Sequence, residues 1–210
     1  MSARLVNVIL LPTDGRPAAP PVDIAIDDGR IAAISPASGA PQRRLLALPA
    51  LVNAHDHCRP LSPTSFGAAA KPLETWLLRL AAMPAIDPYL GALAAFARAA
   101  RGGAGSVMAH YTRFHGPMSP ADEAREIARA AADVGVRVTL AVFMRDRNPL
   151  VYGESKSVTA ALPSRARETI KAQFLAPMPS IEEQIARVEA IAAAVDSPTF
   201  SIQFGPNGPQ

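Results

Sequence analysis

With 210 residues, 49% of them hydrophobic, the chain is long enough for one sizeable core or for a small domain joined to part of a larger one, and too apolar to be disordered. Its 21 Lys and Arg against 18 Asp and Glu give a formal charge of +3 that is scattered along the chain, which argues against a nucleic-acid-binding face. The single cysteine, Cys58, allows no internal disulfide and fits a reducing cytoplasm.

Taken in order, residues 5–11, 22–26, 30–34 and 44–48 are short β-type runs, with Asp27-Asp28-Gly29 supplying a turn that accepts positive φ. They predict a small N-terminal β-sandwich module over 1–48. The apolar start from Leu5 to Leu11 is short for a secretory signal and no small-residue cleavage site follows, so it reads as a first strand. From Val52 onward the rhythm changes to strand, helix, strand, helix, the pattern of a parallel α/β structure. Between Leu77 and Ala100 the apolar region is broken by Arg79, Pro84, Asp87 and Pro88, so it lacks the ~18 uninterrupted residues of a membrane span.

Asp87 as N-cap and Pro88 at the first position open a helix that runs through Leu93, Phe96 and Ala100 and stops at Gly102-Gly103. Ser106 to His110 reads as a strand. Ser119-Pro120 with Asp122 and Glu123 in the first turn begins another helix, ending near Gly135, and Val136 to Phe143 follows as a strand. Ser180 and Glu183 make a capping box for a helix whose Ile181, Ile185, Val188 and Val195 keep helical spacing, and Thr199 to Phe204 is the next strand.

Chemistry concentrates at His55-Asp56-His57, after the apolar run Leu48 to Ala54. On a strand, side chains two apart project to one side, so the two imidazoles converge while Asp56 points away. Neutral imidazole suits zinc or ferrous iron, and a catalytic site takes two or three such donors and leaves a position for water. A His-x-His pair also arises by chance in surface turns. Here it follows a strand that reads as buried and precedes the Pro/Ser/Gly-rich stretch Arg59 to Ala70, which is where a barrel enzyme carries its ligands. Cys58, projecting opposite to His57, reads as a packed thiol and not as a ligand.

The segment Leu48-Pro-Ala-Leu-Val-Asn-Ala-His55-Asp-His57 resembles the first-strand motif of the amidohydrolase superfamily, Pro-Gly-(Leu/Phe)-Val-(Asn/Asp)-x-His-x-His. Ala50 stands where that motif usually has Gly. The resemblance extends along the chain: short strands before the barrel, as in the deaminase and hydantoinase branches, then alternating strands and helices. It implies the first half of a (β/α)8 TIM-like barrel over 49–210, strands one to four only, in a chain that looks truncated. It also implies one divalent metal ion, zinc ahead of iron, held by His55 and His57. Further ligands are expected after strands five and six, with an Asp after strand eight that binds metal and handles protons, all outside these residues. The lysine that bridges two metals in some branches is absent from Thr199 to Phe204, which favours a single-metal site. The implied activity is a cytoplasmic hydrolase of non-peptide C–N bonds, a deaminase of nitrogen heterocycles, with a small-molecule substrate, no membrane partner and a possible homo-oligomer. A cyclic-amide hydrolase, or a non-catalytic half-barrel acting as an interaction module, are the alternatives.

His110, at the C-terminal end of the second barrel strand, is a candidate pocket residue, and His115 lies further into the same loop. Arg145-Asp146-Arg147-Asn148 after strand three could hydrogen-bond a polar substrate. Gln203, in the Gly/Pro-rich stretch to Gln210, is placed at the pocket by resemblance to the loop after strand four in deaminase-like members.

Overall fold

The computed structural model describes residues 2–39, 45–70, 72, 75–76, 79–80, 83–114, 118–146, 154–175 and 177–206. They divide into two compact units, Met1–Ala50 and Leu51–Gln210.

The first unit holds β1 (Ala3–Leu10), β2 (Val22–Asp27), β3 (Arg30–Pro36) and β4 (Leu45–Ala47) in one four-stranded sheet of order β3-β2-β1-β4. β1, β2 and β3 pair antiparallel, and β4 joins β1 in parallel. Asp28 and Gly29 link β2 to β3 with φ of 46° and 73°, the two positive values that a type I′ hairpin needs and that glycine takes without cost. Among the described residues there is one layer where a sandwich needs two packed layers. The strands explain why: β3 is exposed throughout, and Val8 and Ile24 are the buried large apolar side chains.

Asp23 is buried at 2% exposure and organises this sheet. A bulge in β1 puts Asn7 at φ 54° and frees its N–H, which donates to Asp23 Oδ1 at 2.9 Å. Oδ2 accepts from Arg4 Nη2 at 2.8 Å and Ser38 Oγ at 2.7 Å. The Asn7 N–H first, then the Ser38 hydroxyl and Arg4, hold this carboxyl far below the ordinary carboxylate range.

The second unit is a four-stranded parallel sheet in chain order, β5 (Leu51–Asp56), β6 (Ala104–Tyr111), β7 (Arg137–Met144) and β8 (Phe200–Pro206). A 3-10 turn at Pro63–Phe66 and helix α1 (Pro88–Arg101) lie between β5 and β6, and α2 (Pro120–Val134) between β6 and β7. α3 (Ser155–Ala160), α4 (Ser164–Phe174) and α5 (Ile181–Val195) separate β7 from β8. The three expected caps form: Asp87 and Ser119 accept from Leu90 and Asp122 N–H groups, and Ser180 and Glu183 close a reciprocal capping box.

Phe96 of α1, Ala124 and Ile127 of α2 and Val188 and Ile191 of α5 pack with Ala109, Val138, Leu140, Val142 and Phe200 into one core. Strand alternation sends Ser106, Met108, His110, Thr139, Ala141, Phe143, Ser201 and Gln203 to the opposite face, where Thr139 and Ser201 hydroxyls meet at 3.0 Å.

Two local expectations differ from the structure. The apolar run 48–54 predicts a buried strand, but β5 runs Leu51–Asp56 at the sheet edge with Leu51 54% and Val52 70% exposed; among the described residues it has a partner strand on one side only. No pattern in the sequence predicts α3 and α4. Ser164–Phe174 reads Ser-Arg-Ala-Arg-Glu-Thr-Ile-Lys-Ala-Gln-Phe, with too few apolar residues for a stripe to announce it.

Candidate metal centre

His55 lies near the end of β5 and His57 one residue beyond it. Between them Asp56 is turned to structural work: Oδ2 accepts from Asn53 Nδ2 at 2.9 Å and Oδ1 from the Cys58 N–H at 2.7 Å, bracing Cys58 at φ 48°. The expectation that the two imidazoles share a side holds geometrically, with ring centroids 5.3 Å apart and planes at 84°. Two imidazoles on one tetrahedral zinc, each at about 2.1 Å through nitrogen, place their centroids about 5 Å apart. The pair therefore fits half of a zinc donor set.

The tautomer of His57 is also fixed. Its Nδ1 lies 3.1 Å from the carbonyl oxygen of His110; a carbonyl only accepts, so Nδ1 carries the proton and Nε2 keeps its lone pair. Metal-binding histidines are commonly oriented by such a bond on the other ring nitrogen. Burial, then the charge of Arg59, lower the pKa of His57 below that of ordinary imidazole, and burial followed by His55 does the same for His110. Neutral rings are the form a metal requires.

His110 contributes a second time through its ring, stacked on His55 at 4.0 Å with planes 25° apart. Near-parallel stacked rings do not aim their in-plane lone pairs at one ion, so His110 supports the pair instead of completing it. Among the described residues no three His, Cys, Asp or Glu side chains are grouped to hold a metal. Cys58 packs against the core, and burial with the charge of Asp56 pushes its thiol up to about 12.

An open cleft of about 560 Å³ adjoins the pair, lined by His55, Asp56, His57, Arg59, Ser62 and Arg98 among others. Arg98 Nη2 donates to the Arg59 carbonyl at 2.8 Å, and the Arg59 guanidinium lies 5.4 Å above the Trp76 ring centroid. The sequence reading singles out neither arginine; the available signal is the spacing of Arg59 two residues after His57.

Gln203 is not in this cluster. It is exposed on β8, in register with Ala141, which is in register with His110, so it shares their row and face at two strand spacings, about 10 Å. The Arg145 main chain is clamped by Gln184, which donates to its carbonyl and accepts from its N–H, both at 2.9 Å. His115, Arg147 and Asn148 lie outside the described residues.

No protein-family model matches the chain, and no curated protein sequence matches it. Solved structures do. The crystal structure of atrazine chlorohydrolase TrzN from Arthrobacter aurescens TC1 complexed with zinc matches over 99% of this chain and 47% of its own, at TM-score 0.66 and 19% identity. A TrzN mutant complexed with zinc and atraton matches over 99% and 46%, at TM-score 0.60 and 17% identity, and a triazine hydrolase variant over 99% and 46%, at 0.65 and 17%. At these identities the likeness speaks for the fold, and the chain spans about half the length of the proteins it matches. The mixed α/β fold that carries His55, His57 and His110 is similar to that of about half of the TrzN chain.

Proposed function

We propose that the chain is the N-terminal half of a cytoplasmic metal-dependent amidohydrolase in which His55 and His57 contribute two ligands to one divalent cation, zinc. Its reaction on this reading is a hydrolytic deamination: water adds to an electron-poor ring carbon of a nitrogen heterocycle and ammonia leaves. The observation that carries the reading is the His57 Nδ1 bond to the His110 carbonyl, which leaves Nε2 as a free donor beside His55. Zinc bound there supplies Lewis-acid activation of water near neutral pH. The chain's own part is to hold two imidazoles in fixed orientation at the rim of a cleft.

The half-barrel reading draws support from the second unit. Parallel sheets are ordinarily covered on both faces, and one whose α1, α2 and α5 pack on the same face leaves the other as the lining of a closed barrel. That face is mixed here, with Ser106, Thr139, Ser201 and Gln203 beside Met108, His110, Ala141 and Phe143. The zinc complexes of the structural neighbours agree with the choice of metal.

The direct test is metal content. Full-length protein should retain zinc through exhaustive dialysis, and the double substitution His55→Ala, His57→Ala should abolish that retention. Stoichiometric zinc in the doubly substituted protein would sink the assignment. Release of ammonia, against chloride or a ring-opened acid, then separates deamination from other hydrolyses of the same ring.

A further inference from the structure

We infer that the buried Tyr111–Glu123 pair is a positioning device for the histidine centre: it holds the end of β6 so that the His110 carbonyl meets the His57 ring. This deepens the proposed metal site and rests on that reading only for its consequence to zinc.

Glu123 is 0% exposed in the first turn of α2, beside Ala124 and Ile127, which enter the core. A carboxylate in such a place is costly to bury and is kept only where donors meet it. One donor is the Tyr111 hydroxyl, which bonds to Glu123 Oε1. Burial first, and then the bond to Glu123, hold the Tyr111 phenol far above its ordinary range, so it remains a donor at neutral pH. An apolar pair would fill the same space without that cost; what the polar pair adds is a fixed geometry.

That geometry matters one residue away. β5 keeps register with β6 only as far as Asp56 and Ala109, so beyond Ala109 the described residues give β6 a strand partner in β7 alone. Yet His110 has two tasks that depend on its place: its carbonyl accepts from His57 Nδ1 at 3.1 Å, and its ring stacks on His55 at 4.0 Å. Strand alternation sends the Tyr111 side chain to the opposite face, where it packs on the core with the Phe114 ring T-shaped against it at 5.5 Å. The peptide joining His110 to Tyr111 is thus held from both faces, by Glu123 through the phenol on the helix side and by His57 on the cleft side. A drift of about 0.5 Å at this strand end would carry the carbonyl out of hydrogen-bond reach of the ring.

The test reads the His57 ring directly. Full-length protein carrying the heavy nitrogen isotope in its histidines, freed of metal, should show His57 as the Nδ1–H tautomer by magnetic resonance, its signal identified by loss in His57→Gln. Tyr111→Phe keeps the aromatic ring and deletes the tether. In that variant the Nδ1–H signature should give way to a mixture of tautomers, and zinc affinity should fall about fivefold, less than for a group bonded to a ligand itself. Glu123→Gln retains an oxygen acceptor for the phenol and should leave both readings near those of the parent. A role in stability alone lowers the thermal midpoint of Tyr111→Phe and leaves the His57 signature and zinc affinity of the folded protein unchanged; that result overturns the proposal, as does an equal loss in Glu123→Gln. Should Tyr111→Phe fail to fold around a stranded carboxylate, the double variant Tyr111→Phe, Glu123→Met removes both partners at similar volume and carries the same expectation. Zinc retention by the unsubstituted protein is scored on its own: a tautomer response without zinc keeps the positioning role and breaks the metal reading, while zinc without a tautomer response does the reverse.

Discussion

Asp23 in the first unit is a charged side chain withdrawn from water and Arg59 in the second is half-buried at the wall of a cleft, and they are treated in opposite ways. Asp23 is surrounded by donors, from the Asn7 N–H, Arg4 and Ser38, that consume its lone pairs. Arg59 rests on a hydrocarbon face with its donors unclaimed among the described residues. A buried charge with every partner supplied by its own fold serves that fold, whereas a half-exposed one can leave its donors to water. His57 combines the two conditions in one ring, with Nδ1 spent on the His110 carbonyl and Nε2 free.

The comparison can be broken most forcefully at Asp23. Asp23→Ala strands the Asn7 N–H and the Ser38 hydroxyl in the bulge of β1, and should cost more stability than any substitution at His110 or Arg59. The thermal midpoint should fall by several degrees, with early hydrogen exchange confined to β1 and β2. An unchanged midpoint would mean that water replaces the carboxylate at no cost. Because the native carboxyl titrates far below its unfolded value, its contribution is complete above about pH 4 and is lost as the pH falls toward the native value. Asp23→Asn should flatten that acid limb of the stability curve.

His110→Ala comes next. The substitution deletes the ring stacked on His55 and keeps the carbonyl that orients His57, so zinc affinity should fall about tenfold and not vanish. A loss as complete as in the double histidine variant would make His110 a ligand.

The smallest effect on stability is expected at Arg59: Arg59→Gln should cost no more than about 1 kcal/mol, the scale of a single cation–π contact. Its signature lies in pH. Protons and metal compete for the same imidazole, and His57 is depressed below the ordinary 6.5 by burial first and by Arg59 second. Zinc release on acidification should therefore come at a lower pH than an undepressed imidazole would give, and Arg59→Gln should move the release point upward. A release curve unmoved by the substitution would separate Arg59 from the metal centre.

What is legible in the sequence is what local chemistry determines. Asp87, Ser119 and Ser180 cap helices through bonds three residues away, and His55 and His57 share a side because strands alternate. The rest depends on register between distant segments. His57 meets a carbonyl 53 residues away, and Asp23 meets Asn7 across a bulge that no residue pattern announces. The sequence points to His110 as a pocket side chain, yet half of its contribution is a backbone oxygen, which no sequence displays. Gln203 shares its row with His110 only through Ala141, a placement that follows from sheet order and not from the Gly/Pro-rich tail.

Strand order in the second unit has a consequence for how the chain is made. Each of β6, β7 and β8 pairs with the strand synthesised just before it, so every new strand emerging from the ribosome finds its neighbour already waiting. In the first unit β4 must return to β1 after β2 and β3 have formed a hairpin. Pairing between consecutive strands keeps loop closures modest for a parallel sheet, a class that otherwise assembles slowly. Leu51 and Val52, exposed on β5, are apolar surface that the later strands described here leave uncovered, and a place where a nascent chain would need shielding.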